Sequence, residues 1–184
     1  MDTKDTIDLE QLKYPVGKFV RGTKAESPER IAACISVITT FPKNLHDAVS
    51  DLTDAQLDTP YRPGGWTIRQ LVHHVADSHS QSLHRFKLAL TEDKPVIKPY
   101  NEALWAEHVD ARTLPLDASF GIIAGTHARW VSLMQHMNAT DFARVFVHPE
   151  QDREISLSEA LELYVWHSTH HLAHITKWRE REGI

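Results

Sequence analysis

Apolar positions recur at helical spacing in four stretches of the chain, and each stretch opens with a start signal. Ser27-Pro28-Glu29 supplies an N-cap, a proline at the first helical position and an early acid. From there Ile31, Cys34, Ile35, Ile38, Leu45 and Val49 form a stripe, and Pro42, lying inside it, is expected to kink or break the helix. The second helix opens at Thr67, where Gln70 completes a capping box, and it carries Ile68, Leu71, Val72, Val75, Leu83, Phe86 and Leu90 before Pro95 closes the run. The third begins near Asp117 and presents Phe120, Ile123, Ala124, Trp130, Met134 and Met137. The fourth opens on a Ser156/Glu159 box and displays Leu157, Leu161, Tyr164, Ile175 and Trp178.

The segments between read differently. Val145-Phe146-Val147 and Glu154-Ile155 flank the polar run His148-Pro149-Glu150-Gln151-Asp152, which predicts a short hairpin between helices three and four. Residues 1–26 are polar and irregular around a Tyr14-Pro15-Val16-Gly17 turn, and are expected to wrap over the domain. Residues 95–115 form a connection long for a bundle, and such loops are often functional. Four helices of about 20 residues in one chain predict an all-α fold, a four-helix bundle spanning 1–184 as a single domain.

Composition narrows the function. Lys plus Arg number 20 and Asp plus Glu 25, a formal charge of −5, which speaks against non-specific nucleic-acid binding. No apolar run approaches the roughly 18 residues of a membrane span, and the N-terminus lacks the apolar core of a signal peptide. The one cysteine, Cys34, excludes an internal disulfide, suits a reducing cytoplasm, and reads as a small buried hydrophobe. What stands out is 13 histidines, clustered at His73, His74 and His79 and again at His167, His170, His171 and His174.

Two imidazoles at i and i+4 on a helix can converge on one ion. The fourth helix offers His167 with His171 and His170 with His174. At about 100° per residue the apolar stripe is centred near His171, with His167 about 40° away and His170 about 100° away. The first pair therefore looks inward, whereas His174, about 60° off, sits at the stripe's edge. A third ligand must come from another helix. Periodicity selects His79 on the second helix, since His74 and His73 fall well off its stripe. His127, mid-stripe on the third helix, either lines a pocket or is a satisfied core histidine.

Pro60-Tyr61-Arg62-Pro63-Gly64-Gly65-Trp66-Thr67, continuing through Arg69-Gln70-Leu71-Val72-His73-His74-Val75-Ala76-Asp77-Ser78-His79, resembles the YfiT-like branch of the DinB superfamily. So do Leu163-Tyr164-Val165-Trp166-His167-Ser168 and His170-His171-Leu172-Ala173-His174-Ile175, with the Tyr14-Pro15 entry and the His148-Pro149 hairpin. The resemblance covers essentially the whole chain. It implies a DinB-like four-helix bundle, a homodimer, and a divalent metal held by three histidines. Carried onto this sequence, the ligands it implies are His74, His167 and His171. Here the resemblance and the periodicity disagree over His74 and His79.

Three neutral imidazoles would leave an ion its full charge and an open position, as in catalytic zinc sites. Such an ion activates water, or deprotonates a bound thiol. The resulting expectation is a metal-dependent hydrolase acting on a small substrate. One alternative is a low-molecular-weight-thiol (bacillithiol-like) S-transferase, and another is a non-enzymatic metal-binding stress-response module. Zinc is the expected metal and nickel the alternative. Asp77 is the candidate carboxylate for orienting an imidazole. Arg69 and Trp66 are candidates for substrate contact, Trp66 also reading as a loop anchor, and Tyr164 could donate to an oxyanion.

Overall fold

The structure, a computed structural model, describes residues 8–184, so the first seven residues of the polar N-terminal segment lie outside the described residues. In chain order its elements are α1 (Leu9–Lys13), α2 (Pro28–Val49), α3 (Asp54–Leu57), α4 (Ile68–Thr91), α5 (Glu102–Trp105), α6 (Val109–Thr113), α7 (Asp117–Gln135) and α8 (Ala139–Ala143). Strands β1 (Val145–His148) and β2 (Arg153–Ser156) and the helix α9 (Leu157–Glu182) follow. Helices α2, α4, α7 and α9 make the bundle. α2 and α4 each pack against both α7 and α9, so the order around it is α2–α7–α4–α9.

The start signals act as read. Ser27 accepts from Arg30 N at the head of α2, and Thr67 and Gln70 close a reciprocal capping box on α4. At α9 only half of the expected box forms. Ser156 accepts from Glu159 N, but the Glu159 carboxylate turns to Arg153 and to Gly22 N. The hairpin is present, with β1 and β2 antiparallel in the register Phe146↔Ile155 around a turn in which Asp152 takes φ 46. The connection over 95–115 is not irregular throughout, since it contains α5 and α6.

Pro42 does not break α2, which runs unbroken from Pro28 to Val49. A proline nitrogen carries no hydrogen, so the carbonyl four residues back, that of Ile38, loses its helical donor. Ile38 is fully buried, and an orphaned carbonyl there would be costly. His127 on α7 supplies the missing donor, its Nδ1 lying 2.6 Å from Ile38 O.

The core lies in two apolar clusters. One centres on Cys34, Phe86, Trp130 and Leu161, and the other on Leu45, Leu71, Ile123 and Ile175. His79 and His127 form a polar layer touching both. Trp130 of the first cluster meets His79 edge-on at 6.3 Å, and Phe41 of the second stacks on His79 at 5.3 Å and on His127 at 5.6 Å.

Candidate metal centre

α4 and α9, the neighbouring helices richest in histidine, bring ligand atoms of His74, His167 and His171 within 4.8 Å of one another. His74 Nε2 and His167 Nε2 lie 3.3 Å apart. Nitrogens about 2.0–2.1 Å from a tetrahedral ion are separated by roughly 3.3–3.4 Å, so this pair has the spacing of one tetrahedral edge. Burial holds all three rings unprotonated at neutral pH: His74 is pushed down to about 4, and His167 and His171 well below their ordinary value. Unprotonated imidazole is the form that binds metal. Trp66 covers the ring of His74 at 4.7 Å and lines the cavity beside it.

His167 is held from behind by a chain of hydrogen bonds that crosses all four bundle helices. Its Nδ1 lies 3.1 Å from His79 Nε2, His79 Nδ1 lies 2.7 Å from His127 Nε2, and His127 Nδ1 ends on Ile38 O. A carbonyl can only accept, so His127 donates from Nδ1. Burial keeps His127 neutral, with its pKa down at about 4, which leaves Nε2 as an acceptor for His79. His79, fully buried and likewise neutral, therefore donates from Nδ1 and accepts at Nε2. His167 must then carry its proton on Nδ1 and present the Nε2 lone pair to His74 and His171. The one carbonyl at the end of the chain thus fixes the tautomer of a ring three links away.

The other candidates sort around this arrangement. His79, selected by periodicity, is not in the cluster but behind it. His127 is a core histidine, yet it anchors the chain rather than standing alone. His73 turns away to Ser119 Oγ at 2.7 Å and Leu114 O at 3.0 Å. Asp77 makes no hydrogen bond to any imidazole, and burial with the nearby charge of Asp110 raises its carboxyl to about 6. Arg69 is buried away from the cavity, its guanidinium engaged by Asp58 at 2.7 Å, Asp54 at 2.8 Å and Leu114 O. Tyr164 does reach the site. Its hydroxyl donates to Ser78 O at 2.9 Å, and Ser78 Oγ lies 3.4 Å from His167 Nε2. Burial pushes the Cys34 thiol up to about 11, consistent with an inert core residue.

His170 and His174 are buried, not at an exposed edge, because the N-terminal segment covers them. His174 Nε2 meets Lys13 O at 3.3 Å and its ring stacks on Tyr61 at 4.2 Å. With His171 they form a second cluster within 4.8 Å. The charge of Arg62 bears on both His170 and His174, and no cationic side chain bears so on His74, His167 or His171.

A family model described as the DinB superfamily matches residues 38–175. A Bacillus pumilus (strain SAFR-032) protein named "Putative metal-dependent hydrolase" is 46% identical over 173 residues, covering 94% of this chain and 98% of its own. One from Bacillus mycoides (strain KBAB4), "Putative metal-dependent hydrolase BcerKBAB4_2443", is 49% identical over 174 residues, with 94% and 98% covered. The solved structure of YfiT from Bacillus subtilis, described as a probable metal-dependent hydrolase with an unusual four-helix bundle topology, superposes with a TM-score of 0.90 at 46% identity. That match covers 94% of this chain and 98% of the other.

Proposed function

The chain belongs to the DinB superfamily, and on that premise we propose that it is a metal-dependent hydrolase whose divalent ion is held by His74, His167 and His171. One observation carries the reading: three neutral imidazoles, two of them at the spacing of a tetrahedral edge, open onto a cavity of about 560 Å³. The relatives' names point to the same chemistry. A bare binding module has no need of such a cavity beside its ligands, which favours an enzyme over a sensing role.

Bound there, a divalent ion supplies a Lewis acid and an open position at which water ionises near neutral pH. The protein's own contribution is orientation. His79 holds the His167 ring, and Trp66 screens His74. The Tyr164 hydroxyl, tied to Ser78 O, and the Ser78 hydroxyl form a small polar wall next to the ligand nitrogens. That wall can hold a polar group of a substrate as it approaches. Redox-silent, tetrahedral zinc suits an all-imidazole set, with nickel the alternative.

Metal analysis of untagged protein tests the assignment. Wild type is expected to carry about one zinc per chain and His171→Ala none, and stoichiometric metal in that variant would overturn it. A panel of ester and amide substrates separates water from thiol as the nucleophile. Conjugation of a low-molecular-weight thiol to an electrophile, with no hydrolysis, would replace the hydrolase by an S-transferase.

A further inference from the structure

The same cavity holds a cation with nothing to pair with. Arg85 lies on α4 and lines the cavity together with the metal-site histidines. Its Nε is buried and has no hydrogen-bond partner, and among the described residues it forms no ion pair. Arg69, Arg153 and Arg179, also buried or partly buried, are each paired with a carboxylate, whereas Arg62 shares with Arg85 a buried Nε that has no partner. His148, at the end of β1, lines the same wall, and its Nδ1 is likewise buried and without a partner. The Arg85 charge bears on the His148 ring, and so, in the opposite sense, does that of Glu150. Glu102 and Glu150 also border the cavity, but both are exposed and neither approaches Arg85 closely enough to neutralise it.

Position along the helix gives the cavity a direction. Arg85 follows His74 by eleven residues, about three turns, which returns it to the same face of α4 about 16 Å further along the axis. Ser78 lies between them on that face. The long guanidinium side chain shortens the gap between the two ends without closing it.

We infer that Arg85 and His148 form an anion subsite for an elongated acidic substrate, whose carboxylate or phosphate they bind while its reactive end reaches His74, His167 and His171. The planar donor fork of arginine matches the paired oxygens of either anion. The neutral His148 ring completes the site as an additional donor. Trp66, Trp166 and Leu163 supply apolar walls for the intervening part of the molecule. The identity of the end group as a carboxylate or a phosphate decides between classes of acidic metabolite, and both share the anionic oxygens that Arg85 reads.

This subsite rests on the hydrolase reading only for the word substrate, and it is tested without the metal. EDTA-dialysed wild type, Arg85→Gln, Arg85→Lys and His171→Ala proteins are titrated with inorganic phosphate, succinate and the uncharged succinamide, following Trp66 and Trp166 fluorescence and calorimetry. Wild type and His171→Ala are expected to bind one of the two anions saturably and alike, with succinamide silent. Loss of the charge-assisted bond in Arg85→Gln should weaken that anion roughly 10- to 100-fold, with Arg85→Lys between. The anion that binds identifies the source. No saturable binding of either anion to wild type, equal binding by Arg85→Gln, or equal binding of succinamide would each overturn the proposal. Zinc retained by His171→Ala would instead sink the metal assignment and leave the subsite standing.

Discussion

His79 is the residue on which the geometry of the proposed metal site is most open to challenge. It is fully buried and accepts from His167 while donating to His127, at 3.1 and 2.7 Å. Replacing it by leucine strands His167 Nδ1–H and His127 Nε2 in the core. Each buried group left without a partner costs about 1–3 kcal/mol, so the variant should lose about 2–6 kcal/mol. For a chain of this size that is a fall in Tm of at least about 4 °C. Freed to rotate or to move its proton, His167 should also lose hold of metal, by roughly 10- to 100-fold in affinity. His79→Gln is the control. Its amide oxygen can accept from His167 and its NH2 can donate to His127, so the direction of every bond is kept. Zinc competition against a chromophoric chelator, beside thermal melts, is expected to rank wild type and His79→Gln well above His79→Leu. Wild-type zinc affinity in His79→Leu would refute the chain's role. Equal weakening in both variants would show that only ring volume matters there. Nitrogen-15 NMR gives an independent reading, with the proton of His167 expected on Nδ1.

Two further outcomes test residues that lie outside the site. Arg69→Ala should cost only about 1–2 kcal/mol, because the side chains of its partners Asp54 and Asp58 are 88% and 54% exposed and return to water, and His73 still donates to Leu114 O. Its zinc content should equal wild type, and loss of metal in a folded Arg69→Ala protein would contradict its placement away from the site. Asp77 has a carboxyl raised to about 6 in the fold, so its neutral form is favoured. That preference contributes fully below the unfolded value near pH 4 and is lost as pH rises through 6. In EDTA-treated protein, Asp77→Asn should therefore gain about 1 kcal/mol at pH 8, a figure reduced for its partial exposure, and nothing at pH 3.5. Melting curves at the two pH values check this, and a gain that persists at pH 3.5 would refute it.

The elements were legible because their signals are local. Caps at Ser27 and Thr67 and the apolar periods of the four long helices depend on residues a few positions apart. Where a partner lies far away in sequence, the local signal misled. Pro42 predicts a kinked or broken helix, and the break does not occur because the replacement donor, His127, is 85 residues away in sequence. His170 and His174 look peripheral by phase because the strand of chain that covers them, around Lys13 and Tyr14, belongs to no helical pattern. Ser156/Glu159 reads as a complete box because nothing nearby warns that Arg153 and Gly22 will claim the carboxylate.

The choice between His74 and His79 shows a deeper reason. Helical phase reports which positions are buried, and a ligand and the residue that orients it are both buried. On α4, His79 lies nearer the centre of the stripe because it meets α7 and α9 deep in the bundle, whereas His74 faces the cavity from the stripe's edge. Periodicity found the support, and family resemblance found the proposed ligand. Pro42 joins the two. With an N–H at position 42, Ile38 O would be occupied by its own helix, and His127 would lose the acceptor that fixes its tautomer, that of His79 and that of His167. A residue that propensity scores as a flaw in α2 is thus the first link in the chain of hydrogen bonds that presents His167 Nε2 as a lone pair to the proposed metal.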